Sequence, residues 1–222
     1  MERFYDERHQ AVRSGYMSKV YGWMFLALVI TALVSLATVQ SVVMSTIAVR
    51  GFWLFFLAAF GIVFFLSARI TKMSSGTAVL WFLIYSAING IWITPIVFRY
   101  TGETVALAFA VSALSFGVMS VYGAVTKTDL TRIGSLAFFG LIGIIIASLL
   151  NMLFRSSGFE FIISYLGVAI FTILTAWDTQ RIKNNPAYQR YAIIGSLSLY
   201  LDFLNIFLFL LNIFGGGGAR RG

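Results

Sequence analysis

The chain has no cysteine. That excludes disulfides, thiolate nucleophiles and cysteine-held metal. It has one histidine, His9, in a polar N-terminal stretch with few partners nearby, so histidine catalysis or ligation has little to build on. Charge is scarce: 11% of the 222 residues are Asp, Glu, Lys or Arg, against about 25% in a soluble domain. Eight acids stand beside 22 phenylalanines, which cannot make a water-facing surface. The net charge of +8 would point to nucleic acid in a soluble protein. Here the basic residues gather at the ends of apolar runs, where membrane topology places them, so no nucleic-acid partner is expected.

What is present is hydrophobic, at 59% of the chain. Residues 1–19 form a mixed-charge arm, and no apolar run begins before about Val20, which does not fit a cleaved signal peptide. Seven apolar runs follow, near 20–40, 52–71, 78–98, 104–125, 133–154, 159–182 and 191–214. Each is long enough to cross roughly 30 Å of hydrocarbon as a helix. The breaks are short and carry Gly, Ser, Asn, Pro and charge, such as Arg50-Gly51 and Asn184-Asn185-Pro186. The runs are too long and too uniformly apolar for the alternating strands of a membrane barrel. The expected fold class is an all-α integral membrane protein: an arm (1–19), a seven-helix domain (20–214) and a flexible Gly/Arg tail (215–222). The expected partner is the lipid bilayer. Loops this short leave no room for an enzyme site outside the membrane, and no enzyme activity or cofactor is expected.

Counting basic residues orients the chain. With seven spans, one side holds 11 of them, including Arg3, Lys19, Arg69, Lys72, Lys127 and Arg181. The other side holds 5: Arg50, Arg99, Arg155, Arg220 and Arg221. The excess puts the N-terminus in the cytoplasm. If the last run is re-entrant, the C-terminus returns to the same side.

Most polar residues in the spans are Ser, Thr and Gly, which usually serve close helix packing. Gly140, Gly143 and Ala147 fit that reading, as do Ser112 and Ser115. Pro95 should disturb the third span, with Asn89 and Thr94 available to the freed backbone groups. Trp23, Trp53, Trp81 and Tyr100 read as interfacial anchors. The last span differs. Ser198, Asp202, Asn205 and Asn212 fall at steps of four, three and seven, which puts them on one helical face. An apolar helix with one polar stripe turns it inward. The sixth span offers Thr172, Thr175 and Asp178. Asp178 sits about 9 Å of helical rise before the Asn184 turn and Asp202 about 16 Å past Tyr191, so a hairpin could bring the two carboxylates together. An aspartate at a span centre costs roughly 2.5–3.5 kcal/mol to insert, so something should offset it. The plainer readings are an interfacial Asp178 held by Arg181, a buried Asp202 bonded to neighbouring Ser and Asn, and a snorkelling Arg69.

The segments "TAWDTQRIK" (Thr175–Lys183) and "LSLYLDFLNIFLFLL" (Leu197–Leu211) resemble the signature of the Bax inhibitor-1 family, also called the transmembrane Bax inhibitor motif family. The likeness covers nearly the whole chain. It implies seven helices, with the last central and the other six around it. It implies a pH-sensitive calcium leak sensed by an aspartate pair, which falls on Asp178 and Asp202. An arginine matching Arg69 would latch one aspartate in the closed state. Some bacterial relatives place an acid in the second span along the supposed ion route; here Phe52 to Ala68 contains none. The short loops and tail suggest a bacterial plasma (inner) membrane.

Two carboxylates about 4 Å apart repel by roughly 4 kcal/mol at an effective dielectric of 20, so the pair would share one proton and titrate as a unit. Calcium takes six to eight oxygens. Asp178, Asp202, Asn205 and Ser198, with carbonyls and water, supply a weak, exchangeable set that suits a pathway for calcium ions and protons. The alternative is a regulatory protein that modulates a membrane-bound quality-control protease or stress and cell-death signalling, with the arm as its contact. A proton-coupled transporter would show broken helices in repeated halves, which are not found. The motifs of an intramembrane protease are also absent.

Overall fold

The computed structural model describes residues 2–69, 72–185 and 192–216, with the backbone alone for 2–14. His9 is therefore placed by its backbone only, and Arg190, Pro186 and the tail beyond Gly216 lie outside the described residues. Eight helices are present among the described residues, and no strand element. They are α1 (Glu2–Gln40), α2 (Val42–Arg50), α3 (Phe52–Arg69), α4 (Ser75–Val97), α5 (Gly102–Val125), α6 (Thr131–Phe154), α7 (Ser157–Asn184) and α8 (Ala192–Gly215). Seven of them contain a stretch long and apolar enough to cross a membrane, with mean hydropathy between 1.6 and 2.5. The chain is a multi-pass membrane protein. Helix is the form that satisfies every backbone group within its own segment, which hydrocarbon demands. The apolar surface agrees: Leu153, Phe154, Leu136 and Phe139 stand exposed on α6, and Phe64 and Leu54 on α3.

The first span runs Gly15–Gln40, longer than the expected 20–40, and α1 continues back through the arm to Glu2. α2 is an element the apolar runs did not reveal. Ser41 breaks the chain with an extended backbone and caps α2, its hydroxyl accepting from the Met44 N–H at 3.3 Å. Ser74 caps α4 and Thr101 caps α5 in the same way. α6 ends at Arg155, which takes the left-handed conformation with φ 51°.

The chain divides into two compact units: Met1–Phe98 with Ile182–Tyr200, and Arg99–Arg181 with Leu201–Gly222. In the first, α1 and α3 pack on α4. Its core is built around Tyr200, which is fully buried. The Tyr200 hydroxyl lies 2.7 Å from Thr31 Oγ1, and the edges of Phe82 and Tyr85 meet its ring. Thr31 also donates toward the carbonyls of Ala27 and Ser86 at 2.9 Å. Asn89 and Thr94 do not turn to the group freed by Pro95. The Asn89 amide donates to Tyr85 O and the Thr94 hydroxyl to Gly90 O, the carbonyls one turn back that these side chains reach most easily.

In the second unit, α5 and α6 close on the C-terminal half of α7. A Cβ on Gly123 would fall 2.1 Å from Ala176 O, and one on Gly134 would fall 2.1 Å from the Trp177 ring. Only residues without a side chain let these helices approach so closely. Gly140 meets Ile170 in the same manner, whereas Gly143 faces open space. Tyr100 is buried against Gly215 instead of standing as an interfacial anchor. Two thirds of the apolar window of α8 is buried (67%), against at most 39% in any other span. That is compatible with the central place expected for the last helix.

Candidate functional site

Five consecutive residues of α7, Trp177 to Arg181, make up one part of the site. Trp177 packs over Gly134, and the Arg181 guanidinium lies 5.1 Å from the Trp177 ring centroid. Thr179 is fully buried, with its hydroxyl 3.0 Å from that of Ser120 on α5. Gln180, also buried, bonds the loop before α6 with both ends of its amide. Nε2 donates to Thr128 O at 2.8 Å, and Oε1 accepts from Leu130 N–H at 2.9 Å. Asp178 is held among these fastened neighbours.

Asp202 lies on α8 in the same unit and is 3% exposed. Asp178 lies on α7 of that unit, and Arg181 follows it by three residues on the same helix. Both carboxyls therefore belong to one unit, Asp202 enclosed and Asp178 half-buried. Oδ2 of Asp202 is enclosed and has no hydrogen-bond partner among the described residues. Leaving such a group unsatisfied costs about 1–3 kcal/mol, so the oxygen is a standing acceptor for a proton, a water or a cation.

The remaining residues fall as follows. Asn205 turns its amide onto its own helix, donating to Leu201 O at 2.8 Å. Ser198 is half-buried on α8 within the first unit. Arg69 ends α3, exposed, also in the first unit. The latch from Arg69 to an aspartate therefore remains a proposal. Asn212, the last member of the polar stripe, donates to the Glu160 carboxylate near the start of α7, and its own Oδ1 is enclosed without a partner. No group of three or more His, Asp or Glu that could hold a metal occurs among the described residues.

Sequence reasoning missed Thr179, Gln180, Ser120 and Glu160. The acid Glu160 in the first turn of a span was a usable signal, because it faces the Asn212 end of a stripe already recognised. The partners of Gln180 and Thr179 lie 50 to 59 residues away, and nothing local announces them.

Residues 13–219 match the family model described as "Inhibitor of apoptosis-promoting Bax1". The chain belongs to the Bax inhibitor-1 family. It is 41% identical to the inner membrane protein YbhL of Escherichia coli strain K12 over 212 residues, 90% of this chain and 91% of that protein. It is 42% identical to a Borreliella burgdorferi protein over 221 residues, 95% of each chain. The YrjE protein of Lactococcus lactis is 35% identical over 227 residues, 98% of this chain and 97% of that one. The Bax inhibitor-1 membership and the described spans concern the same stretch of chain, so the whole membrane domain falls within the family match.

Proposed function

We propose that the chain is a pH-sensitive cation leak channel of a bacterial inner membrane, passing calcium and sensing protons through Asp178 and Asp202. The observation that carries this reading is the enclosed Asp202 carboxyl, whose Oδ2 has no partner among the described residues, in the same unit as a second span carboxyl, Asp178. Two such groups titrate as a unit. Protonation removes charge from the pair and weakens its hold on Arg69, so the leak rises as the pH falls. Deprotonation restores the latch and exposes oxygens that suit a hard cation. Two carboxylates, with Asn205 and Ser198 as proposed accessory ligands, make for weak binding and fast exchange. The excess of basic residues puts the N-terminus in the cytoplasm.

A second reading is supported by the family model's own description, which names an inhibitor of another protein. In it the chain is a regulator, for example of a membrane-bound protease or of stress signalling, and residues 1–19 make the contact. Removing the arm, residues 2–19, separates the two. Calcium flux into vesicles that survives the deletion supports the channel. Flux absent from the full-length protein at every pH, with an arm-dependent partner recovered from the membrane, supports the regulator.

A further inference from the structure

The sequence holds no Asp or Glu between Glu7 and Glu103, and none between Ile182 and Tyr200. The described side chains of the first unit therefore include cations, Arg50 among them, and no carboxylate. Arg50 ends α2 beside a half-open cavity of about 340 Å³ lined also by Val39, Ser45, Thr46, Thr94 and Pro95. No ion pair to Arg50 is found among the described residues. The C-terminus of a short helix offers it only about half a negative charge.

The cavity wall is apolar from Val39, Val49, Pro95 and Phe98, with a band of hydroxyls. Those hydroxyls have already placed their hydrogens. Ser45 donates to Val42 O at 3.1 Å, Thr46 to Val42 O at 2.7 Å, and Thr94 to Gly90 O at 2.6 Å. With their hydrogens so engaged, Ser45 and Thr46 can still accept, whereas Thr94 is buried and its hydroxyl also lies 3.0 Å from Ser35 Oγ. Arg50 is left as the cavity's donor of hydrogen bonds and its positive charge. The volume falls within the range of small-ligand sites, and an apolar wall with few polar groups is their usual lining.

We propose that this cavity binds an anionic glycerophospholipid of the phosphatidylglycerol type. Its phosphodiester sits on the Arg50 guanidinium, part of an acyl chain fills the apolar wall, and the headgroup hydroxyls donate to Thr46 and Ser45. A net charge of −1 matches one unpaired guanidinium, whereas a zwitterionic headgroup carries its own cation. A guanidinium holds a phosphate through paired, charge-assisted hydrogen bonds.

Native mass spectrometry of the full-length protein in detergent, with added phosphatidylglycerol or phosphatidylcholine, tests the site without reference to ion flux. The wild type should retain phosphatidylglycerol about tenfold more strongly than phosphatidylcholine, the scale of one charge-assisted contact. Arg50→Gln should erase that preference while leaving lipid-free melting unchanged. Val39→Phe should reduce retention of both lipids by filling the apolar wall. Millimolar inorganic phosphate should not displace the lipid. An Arg50→Gln protein with the full wild-type preference would show an arginine that only snorkels and would overturn the proposal. Equal competition by inorganic phosphate would assign the site to a free anion and overturn it as well.

Discussion

Gln180 donates from Nε2 to the carbonyl oxygen of Thr128 at 2.8 Å, across 52 residues of sequence. With the bond from Leu130 N–H to its Oε1, the amide fastens the loop before α6 to the helix that carries Asp178. Gln180→Ala strips two loop backbone groups of their partners at once. Leu130 is buried, so its orphaned N–H should cost about 1–3 kcal/mol, while the carbonyl of exposed Thr128 can turn to water. Limited proteolysis should show faster cleavage within residues 126–130. A cleavage rate equal to wild type would mean that the clasp is incidental.

Gly134 carries no side chain because the Trp177 ring occupies the place a Cβ would take. Gly134→Ala should push α6 off α7 and cost about 1–3 kcal/mol, the usual price of overpacking. Gly143→Ala, on the same helix but facing open space, is the control and should melt like wild type. Melting of the two variants in one detergent distinguishes close approach from helix propensity.

Asp129 tests whether an exposed acid can imitate the pair. The Thr131 hydroxyl and backbone N–H hold its carboxyl below the ordinary range. A depressed carboxyl contributes its stability above the unfolded value of 3.8 and loses it as the pH falls through the lower folded value. Across the neutral range Asp129 stays ionised. Asp129→Asn should therefore leave any pH step in flux between about pH 5 and 8 where it stands. A displaced step would place part of the sensing in the loop.

Much of the fold was legible because membranes leave few options. Twenty apolar residues in a row read as a span, and seven such runs match seven described spans within a few residues. α2 escaped because nine residues are too few to cross a bilayer, and its only local mark is the cap at Ser41. Asp202 was visible as the one acid in a largely apolar helix with a single polar stripe. The anchoring of Asp178 was not, since Ser120, Thr128 and Leu130 become its neighbours' partners only through tertiary packing. Tyr100 misled for a related reason. A tyrosine at a span end is usually an interfacial anchor, and here Gly215 gives its ring a buried place instead.

Arg69 is the proposed latch, and its charge is what matters. Arg69→Ala should raise the resting leak and flatten its dependence on pH. Arg69→Lys keeps the charge and should retain part of the step, because an ammonium lacks the two-pronged geometry of a guanidinium. A wild-type leak and pH profile in Arg69→Ala would return this side chain to simple snorkelling.

The central claim is that Asp178 and Asp202 sense protons for a cation path. Its most direct test is calcium flux into proteoliposomes across pH 5 to 8, comparing wild type with Asp178→Asn and Asp202→Asn. Either substitution mimics the protonated member and removes the mutual repulsion. The account predicts a clear pH step in the wild type and none in either variant, whatever the resting conductance becomes. A full wild-type step in both variants would contradict it and leave the two aspartates as structural residues.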